Sequence, residues 1–161
     1  MDNPIRRPEE ILAYRTLLQI LGSKPKPLWT VGPADNAHSA LQLMSDKDIG
    51  FLVVLDGEAM VGVLSERDCA RRVALAGKSP SVTTVAEIMV RTVVTASLAF
   101  TFADCLKLMH DNKVRHLPVV DGSKVVAVVS VRDLLSEAVA HHARIISELE
   151  RERMMMLTSM A

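Results

Sequence analysis

Sliding the sequence against itself by 65 positions aligns residues 30–68 with residues 95–133 without a gap, and 15 of the 39 aligned pairs are identical. The identities run through the whole stretch. They include Thr30 with Thr95, Leu41-x-Leu43-Met44 with Leu106-x-Leu108-Met109, Asp56-Gly57 with Asp121-Gly122, and Ser65-x-Arg67-Asp68 with Ser130-x-Arg132-Asp133. This is an internal duplication, so whatever one unit folds into the other must also fold into, and the pair must cover each other's apolar surfaces.

Patterning predicts strand-helix-strand-strand-helix for each unit. In the first, a short strand at 28–31 precedes a helix at 35–47 with apolar residues at helical spacing. Strands at 51–55 and 60–64 flank Asp56-Gly57, a hairpin signal. Ser65 then opens a helix running to about Ala76, which Gly77 stops. The second unit repeats the order: strand 93–95, helix 101–112, strands 116–120 and 125–129 around Asp121-Gly122, and a closing helix opened by Ser130. A three-stranded sheet cannot bury its own apolar face. The expectation is an α+β fold in which the two units pack sheet to sheet about a pseudo-twofold axis, with two equivalent clefts between them.

The flanks complete the division. Residues 1–22 read as an N-terminal segment whose helix spans 8–21, with Pro8 in its first turn and Gly22 just past its end. Residues 23–84 hold the first unit and a Ser/Pro/Thr-rich linker, 85–140 the second unit, and 141–161 an extension of the closing helix with a Met-rich tail. Leu134, Leu135, Ala138, Val139, Ile145, Ile146 and Leu149 give that helix an apolar side. Its far end is left without a partner in the chain, which points to a second subunit.

Composition narrows the function classes. The 19 basic residues balance 19 acidic ones, and aromatics are 3% of the chain, so neither a polyanion-attracting field nor base-stacking platforms are expected. Nucleic acid is not an expected partner. No apolar run approaches the roughly 18 residues a membrane span requires. Cys69 and Cys105 read as buried thiols in a reducing, cytoplasmic setting. No phosphate-binding glycine loop, nucleophile motif or metal-spaced His/Cys cluster is present, so no catalysis and no metal are expected. The adjacent His141 and His142 point to different helix faces and read as surface residues.

The repeated Ser-x-Arg-Asp remains. It sets a hydroxyl, a guanidinium and a carboxylate at a helix start, where a carboxylate can accept from both hydroxyls of a ribose and an arginine can grip phosphate. The same spacing is that of a capping box, which stabilises a helix with no ligand at all. Arg67 and Arg132 can equally make surface ion pairs, with Glu66 or Glu137, and Arg71 and Arg72 read as lying on a solvated helix face. Trp29 can stack on a base or belong to the core.

A duplicated unit of this order, with Asp-Gly hairpins and Ser-x-Arg-Asp closing each repeat, closely resembles the paired cystathionine β-synthase (CBS) domain, or Bateman module. Further marks are the run from Arg115 through His116, Leu117 and Pro118 to Val120, Ile49-Gly50 before the first strand pair, Ser65-Glu66-Arg67-Asp68-Cys69-Ala70-Arg71-Arg72, and Glu87-Ile88-Met89 before the second repeat. The resemblance extends from about Ile11 to Val139 and is strongest to small stand-alone bacterial proteins holding a CBS pair alone.

The resemblance implies a regulatory module that binds adenosine-containing ligands, such as AMP, ADP, ATP, NAD or S-adenosylmethionine, and that forms a homodimer and signals to a protein target. It places Asp68 and Asp133 on ribose hydroxyls and Ser65 and Ser130 at phosphate. It places Leu28, Trp29 and Thr30, with Val93, Val94 and Thr95, at the base. Gly50 and Phe51 in the first repeat, and Arg115, His116, Leu117 and Pro118 in the second, would line the base or approach phosphate. Gly50-Phe51 carries no charge where Arg115-His116 offers up to two, so the clefts are expected to bind phosphate unequally. The competing expectation is an interaction module whose closing helix docks a partner without regard to nucleotide.

Overall fold

The computed structural model describes residues 13–23 and 27–159. After a helix α1 (Leu17–Ser23), the first repeat runs β1 (Thr30–Val31), α2 (Ala37–Lys47), β2 (Phe51–Asp56), β3 (Ala59–Ser65) and α3 (Glu66–Cys69). A one-turn helix α4 (Val85–Ile88) leads to the second repeat: β4 (Ala96–Ser97), α5 (Phe102–Asn112), β5 (His116–Asp121), β6 (Lys124–Ser130) and the long α6 (Val131–Ser159). Each repeat makes its own sheet, in the order β1-β2-β3 or β4-β5-β6, with the first strand parallel to the second and the hairpin antiparallel.

The 65-residue offset survives into the hydrogen-bond register. Val31 lies opposite Val54 as Ala96 lies opposite Val119, and Phe51 faces Ser65 as His116 faces Ser130. It survives in the helix caps too: α2 ends on Asp48 and α5 on Lys113, both in the left-handed region at φ 51° and 55°. The opening strands differ from expectation: the first is shortened to 30–31, and the second lies at 96–97, beyond the expected 93–95. Residues 28–29 and 93–95 precede the ladder instead of joining it.

Two separate cores result. In the first, Ala40 and Met44 of α2 pack with Leu52, Val54 and Leu64 of the sheet; in the second, Cys105 and Met109 of α5 pack with Leu117, Val119 and Val129. The flanking helices complete these cores crosswise. Val85 N–H and Ala86 N–H of α4 donate to the carbonyls of Asp35 and Pro33 in repeat one, at 2.8 and 2.9 Å. Leu17 N–H and Leu18 N–H of α1 donate to Phe100 and Leu98 of repeat two at 2.8 and 2.9 Å, and Leu17 is fully buried there. Asp35 and Phe100, like Pro33 and Leu98, are matched positions. The helix preceding each repeat therefore seals the other one, which ties the two units into one body.

The repeats meet where equivalent residues touch. Phe51 and His116 occupy matched positions, and their rings stack with centroids 4.7 Å apart and an interplanar angle of 13°. Matched residues in mutual contact mark the pseudo-twofold axis, and β3 also touches β6. Val90, after α4, pairs with Val63 through two 2.9 Å backbone hydrogen bonds and crosses Gly62 so closely that a Cβ there would lie 2.8 Å from Met89 Sδ and 2.9 Å from Val90 O.

Several helices differ from expectation. α1 begins at Leu17, includes Gly22, and has no helix at 13–16; expected positions 8–12 lie outside the described residues. α3 passes at Ala70 into a π-helical turn ending at Ala74, and Arg72, expected on a solvated face, donates from Nη1 to the carbonyls of Ile88 and Met89 at 3.0 and 3.1 Å. It thereby satisfies carbonyls at the end of α4. The apolar side of α6 also divides: Leu134 is buried, whereas Leu135, Val139, Ile146 and Leu149 are exposed. His141 is a correction. It is buried, because Tyr14 of the N-terminal segment stacks between it and Phe102, with ring centroids 4.1 and 4.9 Å away. Among the described residues no helix is long and apolar enough to cross a membrane.

Candidate functional site

Both Ser-x-Arg-Asp segments fold as the capping box their spacing allows. Asp68 Oδ2 accepts from Ser65 N–H at 3.0 Å and from Ser65 Oγ–H at 2.5 Å, while Asp68 N–H donates to Ser65 Oγ at 3.2 Å. The same three bonds join Ser130 and Asp133, at 2.8, 2.7 and 3.3 Å. Every capping bond to a carboxylate ends on Oδ2. The box therefore fixes each half-buried carboxylate at the first turn of its helix with one oxygen engaged, and the geometry of Asp68 leaves Oδ1 outside the box.

The strand entries come to the same places. Glu66 N–H donates to Gly50 O at 3.1 Å, and Val131 N–H to the matched Arg115 O at 3.0 Å. Each helix start is thus joined to the residue before β2 or β5, and Phe51 and His116, stacked on the axis, stand one cross-strand pair from Ser65 and Ser130. Gly50, Phe51, Ser65 and Asp68 form one group, and Arg115, His116, Ser130 and Asp133 its counterpart. The stacked pair joins the two.

The electrostatics of the groups differ, though less than formal charges suggest. Burial pushes the His116 imidazole below its ordinary pKa, against the pull of Asp133 and with further lowering by Arg115. The imidazole is thus biased toward its neutral form, and the exposed Arg115 is the cation of that strand entry. In repeat one, the carboxylate of Glu66 lies over Gly50, with Oε2 3.1 Å from where a Cβ would stand. The first group is therefore acidic at the place where the second is basic.

Other expected site residues are placed less directly. Leu117 is fully buried in the second core, so its side chain leaves on the opposite face from His116, as strand alternation requires. It is not part of the surface that His116 presents. Pro118 is buried as well, and Val94 packs against the second core. Trp29 packs at the edge of the first core, and Lys47 Nζ sits 4.4 Å from its ring centroid, a cation–π contact the sequence did not suggest. Leu28, Thr30, Val93 and Thr95 are half-buried at the starts of their repeats. Arg67 and Arg132 are exposed. The expected pairing of Arg132 with Glu137 is not made: Glu137 binds Arg15 through two bonds of 3.1 and 2.8 Å, and Arg144 at 2.7 Å.

Among the described residues no group of His, Cys, Asp and Glu could hold a metal ion. Cys69 and Cys105 are free and buried, and burial raises both thiols to about 11, away from the reactive range.

The family model for the CBS domain matches residues 24–75 and again 85–140. The chain belongs to the CBS domain family. Among relatives of this CBS pair, the mitochondrial CBS domain-containing protein CBSX3 of Arabidopsis thaliana is 30% identical over 158 residues, which cover 92% of this chain and 75% of that one. A crystal structure of the CBS domain protein NE2398 superposes with a TM-score of 0.75 at 38% identity, covering 79% of this chain and 99% of that one. The CBS domain pair of protein MJ0100, solved with 5-methylthioadenosine and S-adenosyl-L-methionine, gives a TM-score of 0.68 at 25% identity, with 77% and 95% coverage.

That the helices preceding the two repeats of the CBS pair are equivalent, and exchanged, does not show in the 65-residue comparison because they follow a different offset. Thr84-Val85-Ala86-Glu87 and Thr16-Leu17-Leu18-Gln19 are 68 apart, not 65. Their shared Thr-x-x-Glu/Gln pattern was the available signal: Thr84 N–H donates to Glu87 Oε1 at 3.0 Å, and Thr16 N–H to Gln19 Oε1 at 2.9 Å.

Proposed function

We propose that this CBS pair is a non-catalytic regulatory module that binds an adenosine-containing ligand, AMP, ADP, ATP or NAD, in the clefts between its repeats. The observation that carries this reading is the duplicated capping box. Each box fixes a carboxylate at a helix N-terminus, beside a strand entry from the same repeat and one strand pair from the axis where the repeats meet. A carboxylate already oriented by two bonds to Oδ2 needs little further ordering to receive ribose hydroxyls. The complex of MJ0100 with two adenosine derivatives supports the ligand class.

The ligand would bridge the repeats across the Phe51–His116 contact and favour one relative orientation of them. A partner protein would read that change, which can be no larger than the ligand's differential affinity for the two states. The working unit is a homodimer, given the exposed apolar length of α6. Its free, buried thiols suit a reducing cytoplasm. Arg115 makes the second cleft the better phosphate site, with Glu66 opposing phosphate in the first.

A thermal-shift titration with AMP, ADP, ATP, NAD and S-adenosylmethionine tests the reading. At a hundredfold excess over its dissociation constant, a ligand that binds only the folded state adds about 2.7 kcal/mol of stability. A shift selective for one ligand, reduced by D68A and D133A, is the expected result. No shift with any of them, from protein freed of ligand by refolding, would favour the second reading: an interaction module working through α6 alone.

A further inference from the structure

The exposed apolar residues of α6 are not scattered. Leu135, Val139, Ile146, Leu149 and Met156 are each between 57% and 70% exposed. With His142 and Arg153 they fall at alternating steps of four and three: 135, 139, 142, 146, 149, 153, 156. That is an unbroken heptad seam over roughly three heptads, about 30 Å of helix. It is distinct from the stripe that faces the body of the protein, which Leu134, Glu137 and His141 form while buried. A surface helix needs no second stripe. A repeat of 3.5 residues keeps one seam facing another helix of the same period.

The residues of the seam specify its partner. Val139 and Ile146, both β-branched, share one heptad position with Arg153, while Leu135 and Leu149 share the other with His142 and Met156. β-branched residues at the first position and leucine at the second favour two parallel strands, and a lone charged residue in the seam sets register. We infer that α6 forms a parallel two-stranded coiled coil with α6 of a second copy of this chain.

Charge supports this orientation. In the parallel arrangement Arg153 faces its own counterpart across the seam, and each of the two arginines is flanked by Glu152 of the other copy, so each cation has a carboxylate beside it. In an antiparallel pairing that sets Ile146 against Leu149, Arg153 faces His142, flanked by Ala138, Ala143 and Ile145, with no acid on the seam. Glu148 pairs with Arg151 within the helix, so that arginine is already matched. This inference deepens the homodimer in the reading above and is independent of nucleotide.

Light scattering after gel filtration, on the full chain, tests it together with cysteine cross-linking. The wild type should run as a dimer, and I146D/L149D, which alters only exposed side chains, should weaken association by at least tenfold with its circular dichroism otherwise folded. L149C should form an interchain disulfide under mild oxidation, because a parallel seam sets the residue against itself; S147C, outside the seam, should not. The wild type itself should not cross-link, its two cysteines being buried. A monomeric wild type would overturn both the homodimer and the coiled coil. A dimer unaffected by I146D/L149D would leave the homodimer standing and overturn the coiled coil. Failure of L149C to cross-link in a dimer sensitive to I146D/L149D would overturn the parallel orientation. Because no nucleotide enters these measurements, their outcome stands apart from that of the ligand titration.

Discussion

Replacing Asp68 by asparagine separates its two roles. The side-chain carbonyl of asparagine can still accept the bonds that Ser65 N–H and Oγ–H make to Oδ2 at 3.0 and 2.5 Å, so the capping box keeps its geometry. What is lost is the charge at the first turn, worth about 0.3–1 kcal/mol. For a chain of this size that is a fall of roughly 1–4 °C in Tm. A ribose, by contrast, exchanges bonds to an ionised acceptor for bonds to a neutral one, a difference of about 1 kcal/mol for each of two hydroxyls. Together these predict a roughly 10- to 30-fold weaker Kd for the nucleotide. Urea unfolding supplies the first quantity, and calorimetric titration with the ligand identified by thermal shift supplies the second. Unchanged affinity in both D68N and D133N, alongside the expected small loss of stability, would show that the carboxylates only cap helices. The ribose assignment would then be wrong.

Three other outcomes follow from particular contacts. G62A should destabilise the protein by about 1–3 kcal/mol, since the new Cβ would meet the Val90 carbonyl at 2.9 Å and backbone must move, whereas the matched Ala127 is already accommodated. Urea denaturation of the variant reads this, and a loss below the experimental error would refute the close crossing. Glu137, almost fully buried, is held below the ordinary carboxylate range by its hydrogen bonds to Arg15 first and then Arg144, against the opposing effect of burial. Its folded pKa lies below the unfolded value of 4.5, so its stabilisation is complete above about pH 4.5 and fades as pH falls through the lower folded value. E137Q should cost about 1–2 kcal/mol at pH 7, a figure reduced because both arginines are partly solvated, and should flatten the acid side of a Tm–pH curve. For His116 the folded pKa is also lowered, so stability should be full above its ordinary 6.5 and decline as pH falls through the folded value. An NMR titration of the imidazole should show a midpoint below 6.5, and a midpoint above it would mean the Phe51 stack does not desolvate the ring.

What could be read from the chain follows the range of the interactions involved. Capping boxes are set within four residues, so Ser65 with Asp68 and Ser130 with Asp133 could be placed at helix starts from their spacing alone. Alternation and hairpin glycines are equally local, and both hairpins form where the pattern places them, whereas the two-residue opening strands, too short to carry an alternation, do not keep their expected bounds. The candidate site was legible to the extent that it consists of these segments. Leu117 shows the limit: it stands within the motif Arg115-His116-Leu117-Pro118, yet the alternation of the strand sends it into the core. His141 shows another, since the aromatic ring that buries it belongs to Tyr14, more than a hundred residues away.

The sequence by itself determined that there are two copies of one unit, what each contains and where the capping boxes at Ser65, Thr101 and Ser130 start a helix, because duplication and capping are written in residues close together along the chain. Only the tertiary structure decided how the copies are joined. The exchange of α1 and α4 between repeats and the stacking of Phe51 on His116 depend on surfaces that exist only once both sheets have formed. The same holds for α6. Its apolar residues are one class in the sequence, and the folded body, by burying Leu134 and leaving Leu135, Val139, Ile146 and Leu149 in solvent, separates those that hold the protein together from those free to meet another chain.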